Sequence, residues 1–297
     1  MIIDRLYAAV EDRGPVCVGL DPSPKLLPQE LLRGTRSLPE AFLRFNREIV
    51  DATVDLVACY KVQIAHYEAF GVEGLACYRD TLRYIRAQGA LVIGDVKRGD
   101  IGSTAERYAE AHFGGDFEAD FITLNPYFGT DGIAPFFPYI EGRGKGLFVL
   151  IRTSNPSAPE LQDFPPPSDP GHASPVTRHP LYLHVAELVA RWGERFVGRC
   201  GYSAIGGVVG GTAPEALARV RERFPGLFLL VPGYGAQGAR GKDVAPAFRD
   251  GNGAIVAASR FVIGAHRGKP EPERRFPEYA REAVEEMRED ILRWIRS

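Results

Sequence analysis

Eight short apolar runs recur along the chain at fairly even spacing, each ending in a polar or glycine-rich stretch. They are PVCVGLDPSP, DLVACYKVQ, ALVIGDVKRGD, DFITLNPYFG, GLFVLIRTSN, AIGGVVGG, LFLLVPGYGAQG and AIVAASRFVIG. Between most of them lie segments of helical period, among them PEAFLRFNREIVDATV, EGLACYRDTLRYIRAQG, LYLHVAELVARWGERF and APEALARVRERF. A strand that is apolar along its whole length is buried on both faces, and its alternation with helices means a parallel sheet covered by helices. Eight repeats within 297 residues fit an α/β fold of the (β/α)8 TIM-barrel kind, one domain over 1–297, better than an open sheet. The closing segment FPEYAREAVEEMREDILRWIRS sets Tyr279, Val284, Met287, Ile291 and Ile295 near one helical face, which is expected to complete the barrel.

In either parallel architecture the carboxyl ends of the strands carry function, so the polar endings of the eight runs are the candidate site. The glycine pattern GYGAQG at 233–238 superficially matches a dinucleotide fingerprint, which would favour a doubly wound sheet. It lies near the end of the chain rather than in the first βα unit, and no acidic residue follows at the expected spacing.

Bulk properties narrow the partners. A net charge of −2 with both signs interspersed leaves no electrostatic footprint for nucleic acid or an anionic membrane, so a small molecule or another protein is expected. No stretch approaches a membrane span, and MIIDRLYAAVEDRG lacks the apolar core of a signal peptide, so the expected location is cytoplasmic. Cys17, Cys59, Cys77 and Cys200 are far apart with no C-x-x-C spacing, which argues for neither a zinc site nor a disulfide framework. The six histidines, His66, His112, His172, His179, His184 and His266, show no ligand spacing and read as structural or solvent-facing. No metal and no cofactor is expected.

The most pointed local feature is GDVKRGDIGST at 94–104, where Asp95, Lys97, Arg98 and Asp100 follow directly on an apolar strand. Side chains alternate along a strand, so Asp95 and Lys97 are expected on one face, with Val96 on the other. Gly99 lets the chain turn, and Ser103 with Glu106 has the spacing of a capping box for the next helix. A D-x-K-x-x-D pattern alone is more often a solvated salt-bridge cluster, which contributes little. Lys61 adds weight, since it too stands in an apolar strand, where an ammonium is costly unless paired.

These residues closely resemble the signature of the orotidine 5'-phosphate decarboxylase family. The resemblance runs in order from VGLDPSP through YKVQ, DVKRGDIGST, TLNPYFGTDG, RTSNPS, VPGYGAQG and AASR, and is strongest to the longer bacterial branch. It implies a (β/α)8 homodimer that converts orotidine 5'-monophosphate to uridine 5'-monophosphate without cofactor. It further implies a catalytic network of Lys61, Asp95, Lys97 and Asp100, with Asp100, Ile101 and Thr104 serving the partner subunit's site. Lys97 would be the proton donor, Asp21 a ribose contact and Ser154 the reader of the pyrimidine amide, with Thr153 and Asn125 as unranked helpers. Gly235 and Gln237 in GYGAQG, with Arg260 after the next run, would hold the phosphate, and Ser259 would contact substrate or support Arg260.

Two departures stand out. Val96 replaces a smaller residue common in the family, and a proline-rich insertion at 155–180 lengthens the loop after RTSN. Prolines disfavour ordinary helix over most of that insertion, and its place at a strand end gives it the expected character of a lid. A related sugar-phosphate decarboxylase that uses Mg²⁺, and a noncatalytic nucleotide-binding module, are the competing readings.

Overall fold

In the computed structural model, residues 1–164 and 179–295 are described. Each of the eight apolar runs forms a strand: β1 Val16–Gly19, β2 Cys59–Gln63, β3 Leu91–Arg98, β4 Phe121–Leu124, β5 Gly146–Arg152, β6 Ile205–Val209, β7 Leu229–Pro232 and β8 Ala254–Ala258. They pair in chain order, all parallel, and β8 returns to β1 to close the barrel. Closure follows from the pattern of burial, because β1, β4, β6 and β8 are buried at every position and leave no polar face for solvent. A closed sheet also leaves no unpaired edge.

The helices between strands form where the apolar spacing predicts them. Leu38–Thr53 starts at Ser37, whose hydroxyl accepts the Glu40 N–H, with Pro39 in the first turn. Its inner stripe of Ala41, Phe42, Phe45, Ile49 and Val50 is buried on the sheet, each buried phenylalanine contributing roughly 2 kcal/mol of transfer free energy. The last helix, Pro272–Ile295, begins four residues ahead of its expected start at Phe276 and buries Tyr279, Val284, Met287 and Ile291 as read from the sequence. Ile295, at its end, is only partly buried.

One expected cap is corrected. The helix after β3 spans Gly102–Phe113 with Ile101 as its first flanking residue and no side-chain cap, so Ser103 lies inside the first turn. Gly102 has φ of 53° and takes the chain into the helix two residues earlier than the Ser-x-x-Glu spacing implied.

The amino-terminal rim is held by a buried cation. Arg221 donates from Nε to the Ala247 carbonyl and from its terminal nitrogens to the carbonyls of Pro225, Leu227 and Gly253, at 2.7 to 3.0 Å. These carbonyls lie before β7 and β8, so one guanidinium ties the entrances of both strands. Burial pulls its pKa down to about 10, partly opposed by the Tyr202 ring system beneath it.

Most of the proline-rich insertion, 165–178, lies outside the described residues, and with it its expected lid character. Its two ends are fastened together: Leu181 N–H donates to the Phe164 carbonyl and Tyr182 N–H to that of Gln162. The leading end contains a short helix, Ala158–Leu161, with Pro159 in the first turn, where a missing N–H costs nothing.

Candidate active site

The carboxyl ends of the strands surround a cavity of about 380 Å³. Its floor is a chain of alternating charge. Lys61 Nζ on β2 is 2.9 Å from Asp95 Oδ2 and 3.8 Å from Asp21 Oδ2, while Lys97 Nζ is 2.5 Å from Asp95 Oδ1. The parallel register explains the meeting, since Lys61 stands level with Gly19 on one side and Ile93 on the other, and Asp95 with Gln63. Asp21 is steadied by the Gln63 N–H, 3.2 Å from its Oδ1.

Burial of Asp95 would by itself raise its pKa, but the charges of Lys61 and Lys97 override this and hold it well below the usual carboxylate range. Burial of Lys61 works against its charge, and Asp21 and Asp95 reverse that to raise its pKa above the ordinary lysine value. Asp95 and Lys61 are therefore both ionised at neutral pH. The two ammoniums differ in access: the Lys61 side chain is 10% exposed and that of Lys97 43%. Both line the cavity, and Lys97 is the more open of the two.

Asp95 and Lys97 share a face as expected, though regular alternation does not bring them there. Against β4, Gly94 pairs with Ile122 and Arg98 with Leu124, so 95–97 bulge opposite Thr123. Lys97 sits at φ 46°, a left-handed conformation costly to a non-glycine residue. Val96 points into the core, and Arg98 turns outward to Glu68 and the face of Tyr108.

Ser154, Gln237, Ser259 and Arg260 line the same cavity. Gln237 and Ser154 converge over Gly233, where a β-carbon would stand 3.1 Å from the Gln237 Oε1 and 3.7 Å from the Ser154 Cβ. Ser259 Oγ is buried without a hydrogen-bond partner among the described residues. Arg260 lies exposed on the rim. Gly235 is not part of the cavity lining; it has φ of 70°, and a β-carbon there would meet the Phe261 ring at 2.7 Å. The amides of Gly235, Ala236 and Gly238 donate to carbonyls within the loop, so this conformation presents fewer free N–H groups to an anion than the glycine pattern alone implies. GYGAQG leads only into the short helix Gly241–Val244, unlike a dinucleotide fingerprint.

Asp100, Ile101 and Thr104 are not brought to this cavity. The Asp100 carboxylate accepts its neighbour Ile101 N–H at 2.8 Å, Ile101 is half exposed, and Thr104 is exposed on the following helix. Of the two helpers, Thr153 lines the cavity, whereas Asn125 accepts the Tyr127 N–H in a turn outside it.

The chain is similar to known proteins along nearly its whole length. Residues 14–274 match the model of the family described as Orotidine 5'-phosphate decarboxylase / HUMPS family. The chain belongs to that family. Among its relatives, orotidine 5'-phosphate decarboxylase of Petrotoga mobilis is 48% identical over 291 residues, covering 98% of each chain. The enzyme of that name from Clostridium acetobutylicum is 47% identical, over 99% of this chain and 100% of its own. The solved structure of Leishmania donovani OMP decarboxylase superposes with a TM-score of 0.73 at 31% identity, covering 97% of this chain and 98% of that one.

Several cavity residues of this family member escaped the sequence reading. Thr123 donates to Asp95 Oδ1 at 2.8 Å and accepts the Lys97 N–H at 3.0 Å. His66 stands at the rim with Nδ1 3.1 Å from the Pro22 carbonyl oxygen. Leu150, Val208 and Leu230 from three successive strands form an apolar wall. Thr123 gives little signal, because it stands between Ile122 and Leu124 inside a run that reads as core.

Proposed function

We propose that this chain decarboxylates orotidine 5'-monophosphate to uridine 5'-monophosphate and carbon dioxide, the reaction that gives its relatives their name. The observation that carries the reading is the buried Asp95 carboxylate held between Lys61 and Lys97, with the Lys97 ammonium facing the cavity. Breaking the bond from C6 to the carboxylate carbon leaves an electron pair in the ring plane, where the π system cannot delocalise it. A fixed ammonium beside C6 stabilises that charge as it develops. Lys97 then transfers a proton from Nζ to C6, completing uridylate, and regains one from solvent. Asp95, itself held by Lys61, keeps that ammonium aimed. Neither metal nor organic cofactor is assigned a step.

Around this centre, in this reading, Asp21 and Lys61 bind ribose hydroxyls, Ser154 reads the pyrimidine amide, and Gln237 bridges pyrimidine and phosphate; that all four line one cavity supports it. Arg260 offers the phosphate a bidentate guanidinium, with Ser259 beside it. Gly235 shapes the loop that would close over the phosphate, an energy source for organising the reacting end.

The active unit in this reading is a homodimer of single-domain chains, 1–297, in which Asp100, Ile101 and Thr104 enter the partner's cavity. Support comes from an exposed apolar patch at that place. Ile101, Tyr127 and Phe128 are each about half exposed or more, and Phe128 packs within reach of Gly99 and Gly132 beside Asp100. Such a patch marks an association surface. Among the described residues no helix is long and apolar enough to cross a membrane. The free cysteines accord with work in the reducing cytoplasm.

The decisive experiment follows orotidylate by ultraviolet absorbance with excess chelator. Rapid conversion to uridylate is expected. Activity that appears only on adding magnesium, or with a sugar phosphate instead, would overturn the proposal in favour of the metal-dependent branch.

A further inference from the structure

We infer that Thr123 is a positioning residue of this site, holding with one hydroxyl both the Asp95 carboxylate and the backbone from which Lys97 projects; this rests on the reaction proposed above. Thr123 stands among Phe121, Ile122 and Leu124 and is 1% exposed. A hydroxyl is costly in such a place unless it is bonded, and this one both donates and accepts: its proton goes to Asp95 Oδ1 and a lone pair accepts the Lys97 N–H. A hydroxyl carries one proton, so none is left for a substrate lining the same cavity. Thr123 therefore acts through its neighbours.

The bulge makes its role specific. Asp95, Val96 and Lys97 all lie opposite Thr123 between two regular pairs of the β3 to β4 ladder. The ladder cannot satisfy the Lys97 N–H there, and the threonine side chain does so instead. The same bond holds Lys97 at its left-handed φ of 46°. Asp95 Oδ1 is shared by Lys97 Nζ and the Thr123 hydroxyl. When Lys97 gives its proton to C6 it loses its charge, and Thr123 is the partner that keeps this oxygen in place until the lysine is reprotonated.

The test compares wild type, Thr123→Val and Thr123→Ser for orotidylate turnover, uridylate affinity and melting temperature. Valine keeps the shape without the hydroxyl, and serine keeps the hydroxyl. Misplacement of about 1 Å at a reacting group can cost on the order of 100-fold, so Thr123→Val is expected to lose kcat on that scale with KM and uridylate affinity little changed, and Thr123→Ser to recover most of it. A folded Thr123→Val with wild-type kcat, or a loss that serine does not restore, overturns the inference. If valine prevents folding, Thr123→Ala is measured against the same criterion. If wild type itself leaves orotidylate intact, the reaction reading fails separately; a crystal structure of Thr123→Val then decides the positioning role, which an unmoved Asp95 and Lys97 would overturn.

Discussion

The Lys97 ammonium is 2.5 Å from Asp95 Oδ1 while the Lys97 backbone is left-handed, so the more exposed of the site's two ammoniums is also held on a strained residue. Backbone strain of this kind persists only where the surroundings over-determine it. Here the ion pair with Asp95 and the bond from Lys97 N–H to Thr123 do so.

Replacing Lys97 by alanine removes the proton and the charge together, and turnover is expected to fall by at least about 10³-fold. Asp95 keeps Lys61 as a partner, so the variant should fold and bind uridylate. Lys97→Gly should be more stable than Lys97→Ala by about 1 kcal/mol, because glycine accepts the left-handed backbone. Urea denaturation of the two variants measures this.

Asp95→Asn leaves Lys61 and Lys97 facing each other across a neutral amide. Removing one partner from a buried ion pair costs about 3 kcal/mol or more, and the remaining Asp21, 3.8 Å from Lys61, compensates only in part. A lowered urea midpoint with abolished turnover is expected. A variant as stable as wild type would show that the network is solvated.

The same pair sets a pH dependence. Asp95 has a depressed pKa, so its contribution is complete above the ordinary carboxylate value of 3.8 and is lost as pH falls below it. Lys61 has a raised pKa, so its contribution is complete below the ordinary lysine value of 10.5 and is lost as pH rises through the folded value. The network should leave stability level between about pH 5 and 9. Urea midpoints taken across pH should drop on the acid side in wild type, and drop less steeply in Asp95→Asn.

At the opposite rim, Arg221→Lys strands several of four buried carbonyls, because one ammonium cannot span them as a planar guanidinium does. The expected loss is about 2 to 4 kcal/mol of stability, read as a lower melting temperature, with kcat unchanged for the folded fraction.

Asp100→Ala should abolish turnover and keep the fold. Mixed in equal amounts with Lys97→Ala, itself inactive, it should recover about a quarter of wild-type activity, because random two-fold pairing restores one complete site in half of the dimers. Unchanged turnover in Asp100→Ala, or no recovery after subunit exchange, counts against the shared site.

All eight strands were legible in the sequence because continuous apolar runs flanked by polar ends are what a buried parallel strand requires. Lys61 was legible because an ammonium in an apolar run is costly unless paired, whereas Asp95 and Asp21 became legible through the motifs that carry the family resemblance. Ser103 misled, since a capping pattern is local and the position of Gly102 overrode it. GYGAQG misled in part, because which amides a loop spends on its own carbonyls depends on its folded path.

By itself, then, the sequence determined the barrel, the family and the end of the barrel where the charges gather, all of which depend on periodicities and residue types along the chain. How those charges meet depends on the folded chain. The two-residue excess in β3 against β4, the left-handed Lys97 and the doubly bonded hydroxyl of Thr123 arise from register between strands distant in sequence, where each backbone N–H must find a partner that no local pattern specifies.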